Sequence, residues 1–337
     1  MKQMTKWERV EAAIHRQEVD RVPIGLWAHY HLQDRAPRRL AEATLNLHRQ
    51  YDTDLVKLTP SGLYSIQDWG ATIRFGLDDD TFPLTVEPVV RTPDQWEELP
   101  RLDVHNGALA RELETIAHLA EALTGSAPFL MTIFNPLTTA YKLCGDRVSG
   151  DRVVEHLREA PRKVHAGLRI IADVVRAYAL ACLEAGASGI FFATQLANYD
   201  LLTREEYEEF GVPYDLEVLE ALRGKSRITM LHICRQNLMF DLLADYPVDI
   251  LHWSDRESGP SLAEARKVTR RALAGGLALK TLREGTEEEV MAEVRDAIAQ
   301  AGRTGFLVAP ACVIRAGTPA ANLAAARRAV EETTRLS

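Results

Sequence analysis

The chain reads as an α/β protein, a (β/α)8 TIM-type barrel with a β-hairpin excursion after the second strand, and three observations predict it. Eight short strand-like runs can be counted along the 337 residues, each followed by a segment of helical period. From residue 106 onward the alternation of helix and strand is regular, as parallel βα units require. Residues 60–103 differ in character, rich in Gly, Pro and Asp, and interrupt that alternation once. No internal repeat or low-complexity tract is present, and residues 1–337 are read as one barrel domain.

In chain order, residues 5–17 show helical spacing at Trp7, Val10, Ala13 and Ile14. Asp20 and Arg21 lead into a first strand, 22–27, after which come His29, Tyr30 and His31. A helix at 37–50 precedes the second strand, 55–59. Inside the excursion, the extended pieces 72–75 and 84–87 are the two arms expected of a hairpin. A helix at 106–123, a strand at 128–134 and a long helical region to about 185 follow, then a fourth strand at 186–192 and a helix at 203–222. The fifth strand, 226–231, runs into His232 and Cys234. A helical piece at 240–244, a sixth strand at 248–253 and a helix at 261–270 capped by Ser261 come next. The seventh strand is 271–276, a helix spans 286–301, and the eighth strand is 305–309. A last helix starts after Thr318 as cap and Pro319 as first helical residue.

A composition of 46% hydrophobic and 26% charged residues supports a substantial buried core. The net charge of −8 argues against bulk nucleic-acid affinity. No apolar run approaches the roughly 18 residues that span a bilayer, and the N-terminus is too polar for a secretory signal, so a cytoplasmic protein with no membrane partner is expected. Four dispersed cysteines, Cys144, Cys182, Cys234 and Cys312, fit a reducing compartment with thiols free for metal or chemistry.

Chemistry in such barrels gathers where strands end and loops begin. His232 and Cys234, two apart on a strand, point to one side about 6.6 Å apart, so imidazole and thiolate can reach one ion. Cys312 follows the eighth strand and Asp255 the sixth, so four potential zinc ligands converge on one rim. Against this stands the ordinary role of cysteine as a small core residue. Glu257, His252 or water are the alternatives to Asp255 in the fourth place, and His252 is equally a candidate to support a ligand from behind or to pack in the core. His29 and Tyr30, with His31, end the first strand and are candidates to face the pocket. Arg235, Lys280 and Arg315 sit just past strand ends, placed to bind an anionic tail. Asn198, Tyr199 and Gln195 follow the fourth strand as candidate cleft residues, whereas Cys144 and Cys182 fall on helices and are read as core.

Asp20-Arg21-Val22-Pro23, the Tyr51-Asp52-Thr53-Asp54 segment, the barrel order and the Gly-rich seventh strand resemble the uroporphyrinogen decarboxylase superfamily over nearly the whole chain. Within it, His232-x-Cys234 followed 78 residues later by Cys312 is similar to the zinc motif of corrinoid-dependent methyltransferases of the methylcobalamin:coenzyme M type. Cobalamin-independent methionine synthase has a similar His, Cys, Cys set with a carboxylate about two dozen residues after its histidine, and Asp255 occupies that place. The resemblance implies Zn2+, a thiol substrate and methylcobalamin supplied by a separate corrinoid protein. The decarboxylase branch is matched less well: its arginine-rich motif after the first strand is replaced by Trp27-Ala28-His29-Tyr30-His31, and its loop acid by Gly275-Gly276-Leu277-Ala278-Leu279. Asp54 is the counterpart there of the aspartate that orients pyrrole nitrogens, with Asp52 competing for the place.

Two thiolates make zinc a poor activator of water and suit it to a softer nucleophile, a substrate thiol. The leading expectation is therefore a zinc-dependent methyl- or alkyltransferase acting on a thiol. A carboxy-lyase acting on a porphyrinogen or another carboxylated substrate is the alternative, and a non-catalytic component with structural zinc is the third. Apolar barrel helices make a homodimer an expectation.

Overall fold

Helix starts are fixed by short-range chemistry that the sequence carries. Thr5, Thr203, Ser261 and Thr286 each accept a hydrogen bond from the backbone N–H three residues on, while Glu8, Glu206, Glu264 and Glu289 reach back to close a capping box. The structure, a computed structural model, describes residues 3–145 and 151–335. Residues 146–150 of the long helical region expected to end near 185 lie outside the described residues. The rest of that region is three helices, Pro136–Leu143, Arg152–Glu159 and Pro161–Glu184. Pro161 removes an N–H and pushes Ala160 out of helical geometry, so the break there is steric. The expected helix at 203–222 is likewise two, Arg204–Phe210 and Val212–Leu222, divided at Gly211.

Seven parallel strands form one curled sheet: β1 (Val56–Leu58), β4 (Phe129–Phe134), β5 (Gly189–Thr194), β6 (Ile228–Ile233), β7 (Ile250–Trp253), β8 (Ala272–Leu277) and β9 (Phe306–Pro310), hydrogen-bonded in that order. Two further strands, β2 (Thr72–Arg74) and β3 (Leu84–Glu87), pair antiparallel in a separate ribbon. The architecture is an α/β fold consistent with a TIM-type barrel. Segment 22–27 makes no regular ladder. Instead Ile24 bridges Val308 of β9, and Gly25 bridges Leu55 just ahead of β1, so one segment touches both edges of the sheet. Pro23 has no N–H to give, but its carbonyl accepts from Val308 N at 2.9 Å. β5 begins three residues later than the sequence suggests, because Gly186 takes φ +109° to turn the chain out of the preceding helix.

One contiguous cluster of buried apolar side chains runs from Val10 to Val330. At the N-terminal ends of the strands it is closed by an ion network. Asp54, fully buried, accepts from Arg9 Nη1 at 2.7 Å, Arg21 Nη1 at 2.5 Å, Arg21 Nη2 at 2.9 Å and the backbone of Ile24 at 2.9 Å. No described helix is long and apolar enough to cross a membrane.

Candidate metal centre and active-site cavity

Parallel register brings the site together. His232 on β6 and His252 on β7 are direct neighbours across the ladder, and their rings lie 4.7 Å apart between centroids. Past the end of β6, Cys234 N donates to Thr194 O at 2.9 Å, which holds the cysteine at the strand mouth. Past β9, Ala311 N donates to Leu277 O and Ile314 N to Trp27 O, so the turn carrying Cys312 is tied to both neighbours. As a result the donor atoms of His232, Cys234 and Cys312 lie within 4.8 Å of one another. Cys312 Sγ is 3.9 Å from His232 Nε2. Arg235, directly after Cys234, sits at φ +90°, a left-handed strain that costs of order 1–3 kcal/mol and is characteristic of functional turns.

The tautomer of His232 follows from its partners. His252 Nε2 lies 2.8 Å from the Pro310 carbonyl, which can only accept, so the His252 proton is on Nε2. Burial holds His252 neutral by pushing its pKa well down, with His232 adding to the effect. His252 Nδ1 must then accept, and His232 Nδ1, 2.8 Å away, donates to it. His232 Nε2 is left bare, facing the two sulfurs. Of the thiols, Cys312 ionises first, because it receives a hydrogen bond from Cys234. The Cys234 thiol is pushed up by giving that bond and by burial.

Zinc–donor bonds of 2.0–2.3 Å place tetrahedral donors roughly 3.3–3.8 Å apart; Cys312 and His232, at 3.9 Å, are close to that, and the widest separation in the group, within 4.8 Å, exceeds it by no more than about an ångström. Two sulfurs and a bare imidazole nitrogen are a zinc donor set in chemistry as well as geometry, so the residues fit the ion.

The cluster forms part of the wall of a cavity of about 300 Å3. Trp27, Phe82, Phe134 and Phe191 give it aromatic walls, and Lys57, Lys142 and Arg315 line it with positive charge. Residues 82–85, at and before the start of β3, bring the ribbon onto this cavity. His29 also lines it. Its ring stacks on His31, and burial drives its pKa well below the ordinary range. Gln195 faces the same space, and the guanidinium of Arg315 lies over the Phe82 ring at 4.5 Å.

Other expected site residues go elsewhere. Asp255 is not in the metal-capable group: its Oδ1 accepts from Gly276 N at 2.8 Å, and a Cβ on Gly275 would meet that oxygen at 2.4 Å. The Gly275-Gly276 pair thus exists to let this buried carboxylate cap the strand. Asp54 is at the wrong end of the parallel strands, ahead of β1, and is consumed by two arginines. Asp52 pairs with Lys6 and Arg327 at the surface. Tyr30 packs against the core and does not line the cavity. Asn198 is fully buried, donating to the Gln195 carbonyl, and Tyr199 lies on a separate surface depression. Lys280 is exposed, and its neighbour Leu279 takes the cavity position. Arg235 and exposed Glu257 flank Cys234 and Cys312 on a smaller adjoining hollow, with the Arg235 guanidinium donating to Tyr141 Oη at 3.0 Å.

Lys57 is the residue that motif reading missed. It lies mid-strand in β1, 3% exposed, and the available signal was a lysine inside an otherwise apolar run.

A curled parallel α/β sheet carrying two cysteines and a histidine beside a cavity at its strand mouths defines a barrel-type protein with a cysteine-rich group able to hold a metal ion. The chain belongs to the uroporphyrinogen decarboxylase (URO-D) family, whose sequence model matches residues 5–333. It is 26% identical over 350 residues to a methylcobamide:CoM methyltransferase, MtbA, of Methanosarcina acetivorans, covering 96% of each chain. It is also 26% identical to the methylcobamide:CoM methyltransferase MtaA of Methanosarcina barkeri, over 98% of this chain and 99% of that one. A uroporphyrinogen decarboxylase of Crocosphaera subtropica is 23% identical over 75% of this chain and 71% of its own. Among solved structures, a methyltransferase from Methanosarcina mazei superposes with a TM-score of 0.85 at 22% identity, covering 98% and 99% of the two chains.

Proposed function

We propose that the protein transfers a methyl group from a methylated corrinoid, carried by a separate corrinoid protein, to a thiol held at His232, Cys234 and Cys312. The chain is a methyltransferase of the uroporphyrinogen decarboxylase superfamily. One observation carries the finer reading: two sulfurs and a bare imidazole nitrogen gathered within 4.8 Å on the wall of a 300 Å3 cavity. Zinc bound there would lower the pKa of the substrate thiol and present the thiolate for attack on the methyl carbon. His252 holds His232 in the tautomer that aims Nε2 at the site. Trp27, Phe134 and Phe191 give the cavity apolar walls, and a substrate that displaced water from between them would strengthen every charge interaction inside it. Asp255 is engaged on Gly276, so an ion held by His232, Cys234 and Cys312 would have a place left for substrate, which supports an exchangeable over a closed structural site. The segment 22–27 is read as the eighth strand of a closed barrel, and the β2–β3 ribbon as its excursion, within one domain of residues 1–337.

The decarboxylase alternative draws no support from the site, since no acidic residue among those described lines the cavity and Asp54 is remote from it. Metal analysis of wild type and Cys312→Ser, with methylcobalamin-to-thiol transfer assayed in parallel, tests the proposal. One zinc per chain lost together with transfer in the variant is expected; unchanged stoichiometry overturns it.

A further inference from the structure

Among the described residues, Lys57 is a buried cation with no carboxylate partner. Its Nζ lies 3.1 Å from Thr59 Oγ1 and over the faces of Phe191 and Trp27, 4.4 and 5.7 Å from the ring centroids. No acidic residue among those described lines the cavity that it faces, whereas Lys142 and Arg315 line the same space. Burial pulls its pKa down to about 7, with the Cys312 thiol opposing, and among the described residues no carboxylate offsets the desolvation cost. A cation kept this way in a cavity is matched by an anion that arrives with the ligand.

The rest of the lining says what that anion is attached to. A volume near 300 Å3 equals about ten waters at roughly 30 Å3 each. The walls at that volume are four aromatic rings with Leu63 and Leu279. A two- or three-carbon acid would leave most of this apolar surface facing water. A flat aromatic body would cover it. At the floor, the Lys57 ammonium and the Thr59 hydroxyl stand side by side, two donors spaced to engage the two oxygens of one carboxylate.

We infer that the cavity is a binding site for an aryl carboxylate, its anionic head on Lys57 and Thr59 and its ring between Phe191, Trp27 and Phe134. The inference deepens the reading of this cavity as the substrate site, but the binding itself involves no metal, so it is tested separately from zinc and methyl transfer.

Benzoate, benzamide and propanoate are titrated into the zinc-free full-length protein by calorimetry, with Trp fluorescence as a second signal. Benzoate is expected to bind at least tenfold tighter than either benzamide, which lacks the charge, or propanoate, which lacks the ring. Lys57→Met is expected to abolish the preference for benzoate over benzamide, Lys57→Arg to retain it, and Phe191→Leu to weaken benzoate and benzamide alike. Thermal melts establish that each variant is folded. Equal affinity for benzoate and benzamide, or a full charge preference surviving in folded Lys57→Met, overturns the inference. A protein that binds benzoate as described but no zinc would sink the methyltransferase reading and leave this one standing.

Discussion

His252 stands between His232 and the carbonyl of Pro310, with 2.8 Å contacts on both sides, so a main-chain oxygen on β9 decides which nitrogen of a β6 histidine is free to bind metal. Replacing His252 by Phe removes the acceptor for His232 Nδ1 and frees the ring to turn or to change tautomer. Zinc affinity measured by chelator competition is expected to fall about 10- to 100-fold, with partial recovery in His252→Gln, while the fold persists. Unchanged affinity would show that the His–His contact is packing alone.

Cys144 and Cys182 are fully buried and their thiols are pushed up by that burial, whereas Cys234 and Cys312 are half-buried at the cavity wall. A thiol reagent at pH 8 is expected to label only the latter two in the native protein, and zinc is expected to protect both. Mass mapping of the labelled peptides checks this.

Asp255 distinguishes a ligand from a structural cap. Because its carboxylate satisfies the Gly276 N–H, Asp255→Ala is expected to destabilise the protein by about 1–3 kcal/mol while keeping one zinc per chain. Loss of zinc in a variant of unchanged melting temperature would return Asp255 to the coordination sphere.

Asp54 closes the far end of the sheet between Arg9 and Arg21. Asp54→Ala leaves two guanidiniums without their shared anion and is expected to cost about 3–5 kcal/mol in denaturant unfolding. Zinc stoichiometry in the folded fraction is expected to stay at the wild-type value.

Asp215 is buried among the donors Tyr207, Asn135 and Tyr246, and burial raises its pKa from 3.8 to about 7 despite them. Between roughly pH 4 and 7 the folded state therefore holds a proton that the unfolded state has released. This contribution to stability is fully present below pH 4 and is lost as pH rises to about 7. Asp215→Asn is expected to flatten that part of the stability–pH curve. A wild-type slope retained in the variant would assign the effect to other groups, such as Glu112, which burial also raises to about 7.

Sequence alone determined what depends on short range. Capping residues fixed where helices start, β-branched runs located the strands to within a few residues, and the spacing of His232 and Cys234 put both on one side of a strand mouth. The pairing of those two with Cys312 was legible only because parallel strands bring all their C-terminal ends to one rim. Tertiary structure decided everything set by register and by competition for partners. His252 backs His232 because β6 and β7 align those two positions, which no local pattern encodes. Asp255 and Asp54 read as site carboxylates until the fold offered them Gly276 N–H and two arginines, stronger claims on a buried charge than an open site. Lys57 became visible as a pocket residue only when the curl of the sheet turned one face of β1 inward, toward a space with no acid among its described lining.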